Sequence, residues 1–266
     1  MDKDTDKDEW RKLVRVIVSQ FRELKESPDT WTIPFAPWCG EKYWEAKPRI
    51  LFVGKSVGAF NDKDAEKWTT KIRDWQKSKD PSLDPEKLTH DYVTNIVANS
   101  RQENPAFWVI PFLIAAAFSP VNSTLENLAH SFAWSNLYKV NDSKRKNFPP
   151  RKAMRQPCGD NFCLLEKSVR WLKQEIEILK PDFVLLGIGK KEWNQIKGEL
   201  PTLENTYRGL PMKVLESRNA VGHSPLGIWV TYHFSRWTAN QRENQHGSLL
   251  FEMKKAWSES LARVER

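Results

Sequence analysis

Cysteine and glycine are both scarce in this chain: three cysteines (Cys39, Cys158 and Cys163) and 11 glycines in 266 residues. Three thiols with no C-x2-C pair cannot supply the four ligands of a tetrahedral zinc or an iron–sulfur cluster. Unpaired thiols suit a reducing cytoplasm, where they act as small packing residues. No apolar run approaches the length that spans a bilayer, and Met1–Glu9 is a polar charge run rather than a signal peptide. The expectation is a soluble, cytoplasmic protein with no membrane partner. Nucleotide fingerprints are missing as well. Gly187-Ile-Gly-Lys-Lys places Lys191 where a phosphate loop needs Ser or Thr, and Gly54-Lys-Ser-Val-Gly is not G-x-G-x-x-G. No cofactor and no metal is expected.

Positive charge and tryptophan are what the chain has in excess. Lys and Arg number 42 against 34 Asp and Glu, a formal charge of +8, and there are 13 tryptophans. A basic surplus points to an anionic partner, and aromatic faces among basic residues can hold unstacked bases. Most of the tryptophans are nonetheless expected in the core.

The chain is organised around Arg49–Phe60. Its apolar run Ile50–Val53 leads straight into Gly54, with Gly58 closing a tight loop. That suits a strand buried on both faces, ending where backbone can approach a ligand. Phe132–Asn141, Asp182–Lys190 and Trp229–Arg236 repeat the layout. In an open parallel sheet the four ends share one rim, where ligands bind. Helical spacing marks residues 9–26 (Trp10, Leu13, Val14, Ile17, Phe21, Leu24), a stretch from Leu165 to Leu179 closed by Lys180-Pro181, and Lys190–Lys197. It also marks a closing helix through Leu250, Met253, Trp257, Leu261 and Val264, while Asn104–Ser119 reads as a buried helix. Met212–Leu215 is a candidate extra strand. This alternation predicts an α/β fold, a three-layer α/β/α sandwich with a central, mainly parallel four-stranded sheet. Residues 1–266 read as a single domain, with an N-terminal helical extension, 1–47, and a helical insertion, 61–103, over the rim.

Taken in order, these segments resemble the uracil-DNA glycosylase superfamily. Val53-Gly-Lys-Ser-Val-Gly is similar to its first motif, a strand ending in a G-x-x-P-G-type loop. Asn104-Pro-Ala-Phe-Trp is similar to its N-x-F-W helix, and Ser135-Asn-Leu-Tyr-Lys to a strand ending T-N-x-x-K. Cys163 to Gly187, with Glu175-Ile and Leu179-Lys-Pro-Asp-Phe-Val-Leu-Leu-Gly, resembles the family's helix–strand unit. Thr231-Tyr-His-Phe-Ser-Arg takes the place of its H-P-S loop. Residues 1–47 and 61–103 lie outside the resemblance.

The resemblance implies a monofunctional DNA glycosylase that flips out a base, reads its Watson–Crick edge and stacks it on an aromatic face. Asn136, with a donor and an acceptor on one amide, would read a pyrimidine edge, although the residue alone also suits a strand-end turn. Gly54, Phe60, Phe107 and Trp108 complete the implied base-binding set, the three aromatics being equally readable as core. His233 would hydrogen-bond the base as negative charge builds on the departing ring. A lone histidine after a strand also serves structure, and His223 is its rival. The implied DNA-binding set is Lys55, Lys139, Lys144, Arg145, Lys146, Ser235, Arg236 and Trp237, with Arg236 or Trp237 filling the gap left by the base. The basic run Lys139–Arg155 reads equally as a solvated loop.

Two departures stand out. Lys55 and Ser56 occupy the place where many members carry a carboxylate or Asn that orients the attacking water, and Val57 and Phe234 replace the usual prolines. Asn61, Asp62 or Asp64 could supply that group from the insertion; Ser56 and Asp62 join His233 as the candidate catalytic set. The departures favour a damaged or hypermodified pyrimidine over uracil. By analogy with divergent bacterial relatives, defence against phage with modified DNA is the implied role. The protein is expected to act as a monomer on single- or double-stranded DNA. The alternatives are a catalytically inactive nucleic-acid sensor on the same fold and an α/β enzyme for a small phosphorylated substrate.

Overall fold

The computed structural model describes residues 3–23, 34–56, 84–98, 106–140, 163–196, 212–215, 227–231 and 239–264. They form an α/β protein with a mixed sheet. In chain order the elements are α1 (Lys3–Arg22), β1 (Trp38–Cys39), a 3-10 turn (Tyr43–Glu45), β2 (Ile50–Ser56), α2 (Pro85–Ala98), α3 (Ala106–Phe118) and α4 (Leu125–His130). There follow β3 (Ala133–Tyr138), α5 (Leu164–Leu179), β4 (Phe183–Gly187), α6 (Gly189–Ile196), β5 (Met212–Leu215), β6 (Gly227–Val230) and α7 (Ala239–Val264). They fall into two compact units. One is made of Met1–Trp38, Ser56–Val93 and Ser135–Leu179, the other of Cys39–Lys55, Thr94–Trp134 and Lys180–Arg266.

In the first unit α1 packs on α5. Helix α1 starts at Lys3, six residues before the expected boundary at residue 9, so the charged leader is helical. Asp4 and Asp6 in its first turn complement the helix dipole, and Lys7–Asp4 and Arg11–Asp8 add i,i+3 ion pairs. Its apolar stripe of Trp10, Leu13, Val14, Ile17 and Phe21 is buried, with Phe21 set 5.3 Å from the Trp171 ring of α5. On α5 the buried face carries Leu164, Val169, Trp171, Leu172 and Leu179, and also Ser168 and Glu175. Helix α2 begins on Pro85, whose missing N–H has no intrahelical partner to lose at a first turn.

In the second unit the strands run in the order β2, β4, β6, β5. β2 and β4 are parallel from Ile50↔Phe183 to Gly54↔Gly187, and β4 and β6 from Phe183↔Gly227 to Leu186↔Val230. β5 is antiparallel to β6, with Met212 opposite Val230. This corrects the expectation of a mainly parallel four-stranded sheet: the sheet is mixed. The chain between Leu215 and Gly227 is at the lower limit of the length that a parallel crossover needs, which favours the antiparallel pairing. Leu51, Phe52, Val53 and Phe183–Leu186 have no exposed surface, as their unbroken apolar runs require. Phe183 gathers Phe118 of α3, Trp229 of β6 and Trp257 of α7 around it at 5.6–6.4 Å.

Helix α4 and strand β1 are additions to the elements expected from the sequence. Thr124 caps α4 by accepting a hydrogen bond from the Asn127 N–H at 3.2 Å. Just past β1, Gly40 N–H donates to the Phe132 carbonyl and Lys42 N–H to that of His130. A Cβ at Gly40 would collide with the His130 backbone. Gly40→Ala is therefore expected to lower unfolding stability by about 1–3 kcal/mol in urea melts, the usual range for overpacking. Unchanged stability would show that this close approach is not what fixes the segment. Among the described residues no helix is long and apolar enough to cross a membrane.

Candidate functional site at the strand ends

Because β2, β4 and β6 are parallel and in register, Gly54, Gly187 and Val230–Thr231 end on one rim of the second unit. The chain turns there through Gly187-Ile188-Gly189 into α6. Gly189 has φ of +80°, a conformation that only glycine adopts without strain. Its N–H donates to the Thr231 carbonyl, and the Thr231 N–H donates to the Leu186 carbonyl. The turn's leading amide is thus committed to the sheet rather than turned out towards a phosphate. Next along this rim, Lys55 Nζ lies 2.5 Å from Glu192 Oε1 of α6, with side-chain exposures of 17% and 11%. The cation that departs from the family pattern at the first strand end is therefore engaged with a carboxylate.

In the first unit the buried polar candidates lie at the end of β3. Alternation along the strand puts Ser135 and Leu137 on one face and Asn136 and Tyr138 on the other, and Lys139 follows directly after the strand. The Lys139 side chain is fully buried and aimed at α5. Its ammonium reaches Ser135 Oγ, the Asn136 backbone carbonyl and Glu175 Oε1, each at 2.6 Å. Burial holds this ammonium below the usual lysine range, with the Glu175 carboxylate pulling the other way. Asn136 is 1% exposed, and neither its amide nitrogen nor its amide oxygen has a hydrogen-bond partner. A buried primary amide with both ends unpaired is costly and calls for an explanation.

The candidate residues separate accordingly. Gly54 and Lys55 are on the rim of the second unit, and Ser56 is the last residue of β2. Phe107 lies in the first turn of α3. Trp108 is 1% exposed and packed against Trp134, Phe112 and Phe132, with ring centroids at 4.5, 6.0 and 6.3 Å. The ring is packed in the core, the alternative reading that its sequence context left open. The expectation of Lys139 as a DNA contact is corrected. With its ammonium enclosed by three internal partners, it cannot meet a DNA phosphate. Phe60, Asp62, Lys144, Arg145, Lys146, His233, Ser235, Arg236 and Trp237, with Asn61, Asp64 and His223, lie outside the described residues. Among the described residues no three His, Cys, Asp or Glu side chains are grouped to hold a metal ion.

Glu175, Ser135 and Glu192 were not among the candidates, although the first and last left a trace in the sequence. Glu175 stands three residues after Leu172 and four before Leu179, on the apolar stripe of α5. Glu192 stands four before Ile196 on that of α6. A carboxylate on a buried helix face signals an internal partner, because an unpaired charge there would be prohibitive. In comparisons with known proteins, no family model and no curated protein matches the chain.

Proposed function

We propose that this protein is a DNA glycosylase that flips out a damaged or modified base and hydrolyses its N-glycosidic bond, leaving an abasic site. The observation that carries the proposal is the buried, doubly unpartnered amide of Asn136 at a strand end. Such an amide offers one donor and one acceptor side by side, the complement of a pyrimidine edge. The α/β architecture with parallel β2, β4 and β6 supports the finer reading of a three-layer, uracil-DNA glycosylase-like domain. In the reaction, water adds its oxygen to C1′ while the C1′–N bond breaks and its electron pair leaves with the base. The base then takes up the proton that the water gives up. Asn136 holds the base edge, and His233 is the group that the resemblance assigns to the departing ring. The substrate class is a hypermodified pyrimidine in DNA, and defence against phage carrying such bases is the proposed setting.

One observation favours a second reading, a catalytically silent nucleic-acid sensor. Lys55 stands where the resemblance places the water-orienting group, and it is paired with Glu192. One experiment separates the two. Single strands and duplexes carrying uracil, oxidised, 5-substituted or glucosylated cytosines, together with phage DNA rich in modified pyrimidines, are incubated with the protein and treated with alkali. The glycosylase gives strand breaks at one class of modified pyrimidine. Salt-sensitive binding with no alkali-labile site identifies the sensor. Neither breaks nor binding refutes both readings.

A further inference from the structure

The three atoms around the Lys139 ammonium come from two places in the chain: Ser135 and Asn136 on β3, and Glu175 on α5. The ammonium donates to Ser135 Oγ and the Asn136 carbonyl and is ion-paired with Glu175 Oε1, so it is wholly engaged inside the protein. Both charged side chains are fully buried, and neither carboxylate oxygen of Glu175 has a hydrogen-bond partner beyond the ion-pair contact of Oε1. Ser168 Oγ on the same helix is likewise buried without one. An ion pair whose hydrogen-bonding capacity is only partly satisfied recovers little of its desolvation cost, so gain in stability is a poor reason for it to be here. What the pair does supply is geometry. It ties the carbonyl of Asn136, the residue whose own amide is left unpaired, to the neighbouring helix.

We infer that Lys139 and Glu175 are positioning residues. They form a buried clamp that fixes the β3 strand end, so that the Asn136 amide is held ready for the edge of a pyrimidine. The inference rests on the glycosylase reading for what Asn136 recognises, but the clamp itself is a property of the free protein. It gives Ser135 and Lys139 one task, that of setting the backbone between them, and gives Glu175 the task of anchoring Lys139. Of these four residues, Asn136 alone touches the base.

The test replaces both charges with methionine, Lys139→Met together with Glu175→Met, which refills the space without leaving a buried charge. Two signals are read: the side-chain amide resonances of Asn136 in 15N-labelled protein, and single-turnover base release from the best duplex of the alkali assay. The clamp gives moved or broadened Asn136 amide resonances. It also gives base release slowed by about 10- to 100-fold, as for a misplaced contact, at an unchanged half-saturating DNA concentration. A purely structural pair gives a folded double variant with Asn136 resonances and release rate as in the wild type, and that result overturns the inference. Ser135→Ala removes one acceptor from the ammonium without stranding a charge, and serves if the double variant does not fold. Its Asn136 amide resonances move if the clamp is real and stay in place if it is not. Should the wild-type protein release no base from any substrate, the glycosylase reading falls, while the resonance comparison still decides the clamp.

Discussion

Asn136→Leu is expected to remove base release while making the protein harder to unfold. The two effects have opposite signs because the amide contributes to one state and burdens the other. In the free protein it is buried with donor and acceptor both unpaired, which costs about 1–3 kcal/mol for an unsatisfied polar group. Leucine has the same branching and number of side-chain heavy atoms and no polar atoms, so it sheds that cost, less a smaller penalty for its larger methyl groups. A gain of about 1–2 kcal/mol is expected, with an unchanged denaturant slope showing that the folded state is otherwise intact. On the proposed glycosylase reading the amide is a preorganised partner of the departing base, and losing one such donor lowers the rate by about 100- to 1,000-fold. Urea melts and single-turnover alkali assays on the same preparation read both numbers. A variant less stable than wild type would show that the fold depends on the amide, and an unaltered rate would show that the amide does not read the base.

Lys139→Met alone is expected to be among the most damaging single changes in the described part of the molecule. It leaves the Glu175 carboxylate fully buried with no counter-charge, a situation that costs about 3–5 kcal/mol. Adding Glu175→Met is expected to recover most of that loss, so the two changes are strongly non-additive. Equilibrium denaturation of the two single variants and the double gives the coupling directly. Additive losses would mean that the charges do not meet across β3 and α5. Recovery of stability without recovery of base release is the signature that separates a positioning pair from a packing pair.

Legibility in the sequence followed the local signals. The runs Ile50–Val53 and Phe183–Leu186 could be read as strands buried on both faces, and the stripes of α1 and α5 fixed which helix faces are covered. Charge misled twice. Residues 3–8 were read only as a polar charge run with the helix starting at residue 9, yet Asp4 and Asp6 sit in the first turn, where acidic side chains favour a helix start. Lys139 opened a basic run and was grouped with it, although Tyr138 and Val140 beside it are buried and Glu175 waits on the apolar stripe of α5. Trp108 was ambiguous for a different reason. An apolar, aromatic helix looks the same whether its rings face a base or one another, and only the packing with Trp134 and Phe132 decides. The direction of β5 depends on the length of the connection that follows it, which the apolar pattern does not carry.

The most direct measurement follows the Asn136 side-chain amide by NMR while each duplex of the alkali panel is added in turn. A base edge held by this amide shifts its proton and nitrogen resonances with at least one modified-pyrimidine duplex, and leaves them in place with the unmodified duplex of the same sequence. Asn136 resonances that stay put with every duplex, while signals elsewhere report that DNA has bound, would contradict the assignment of this residue as the reader of the base.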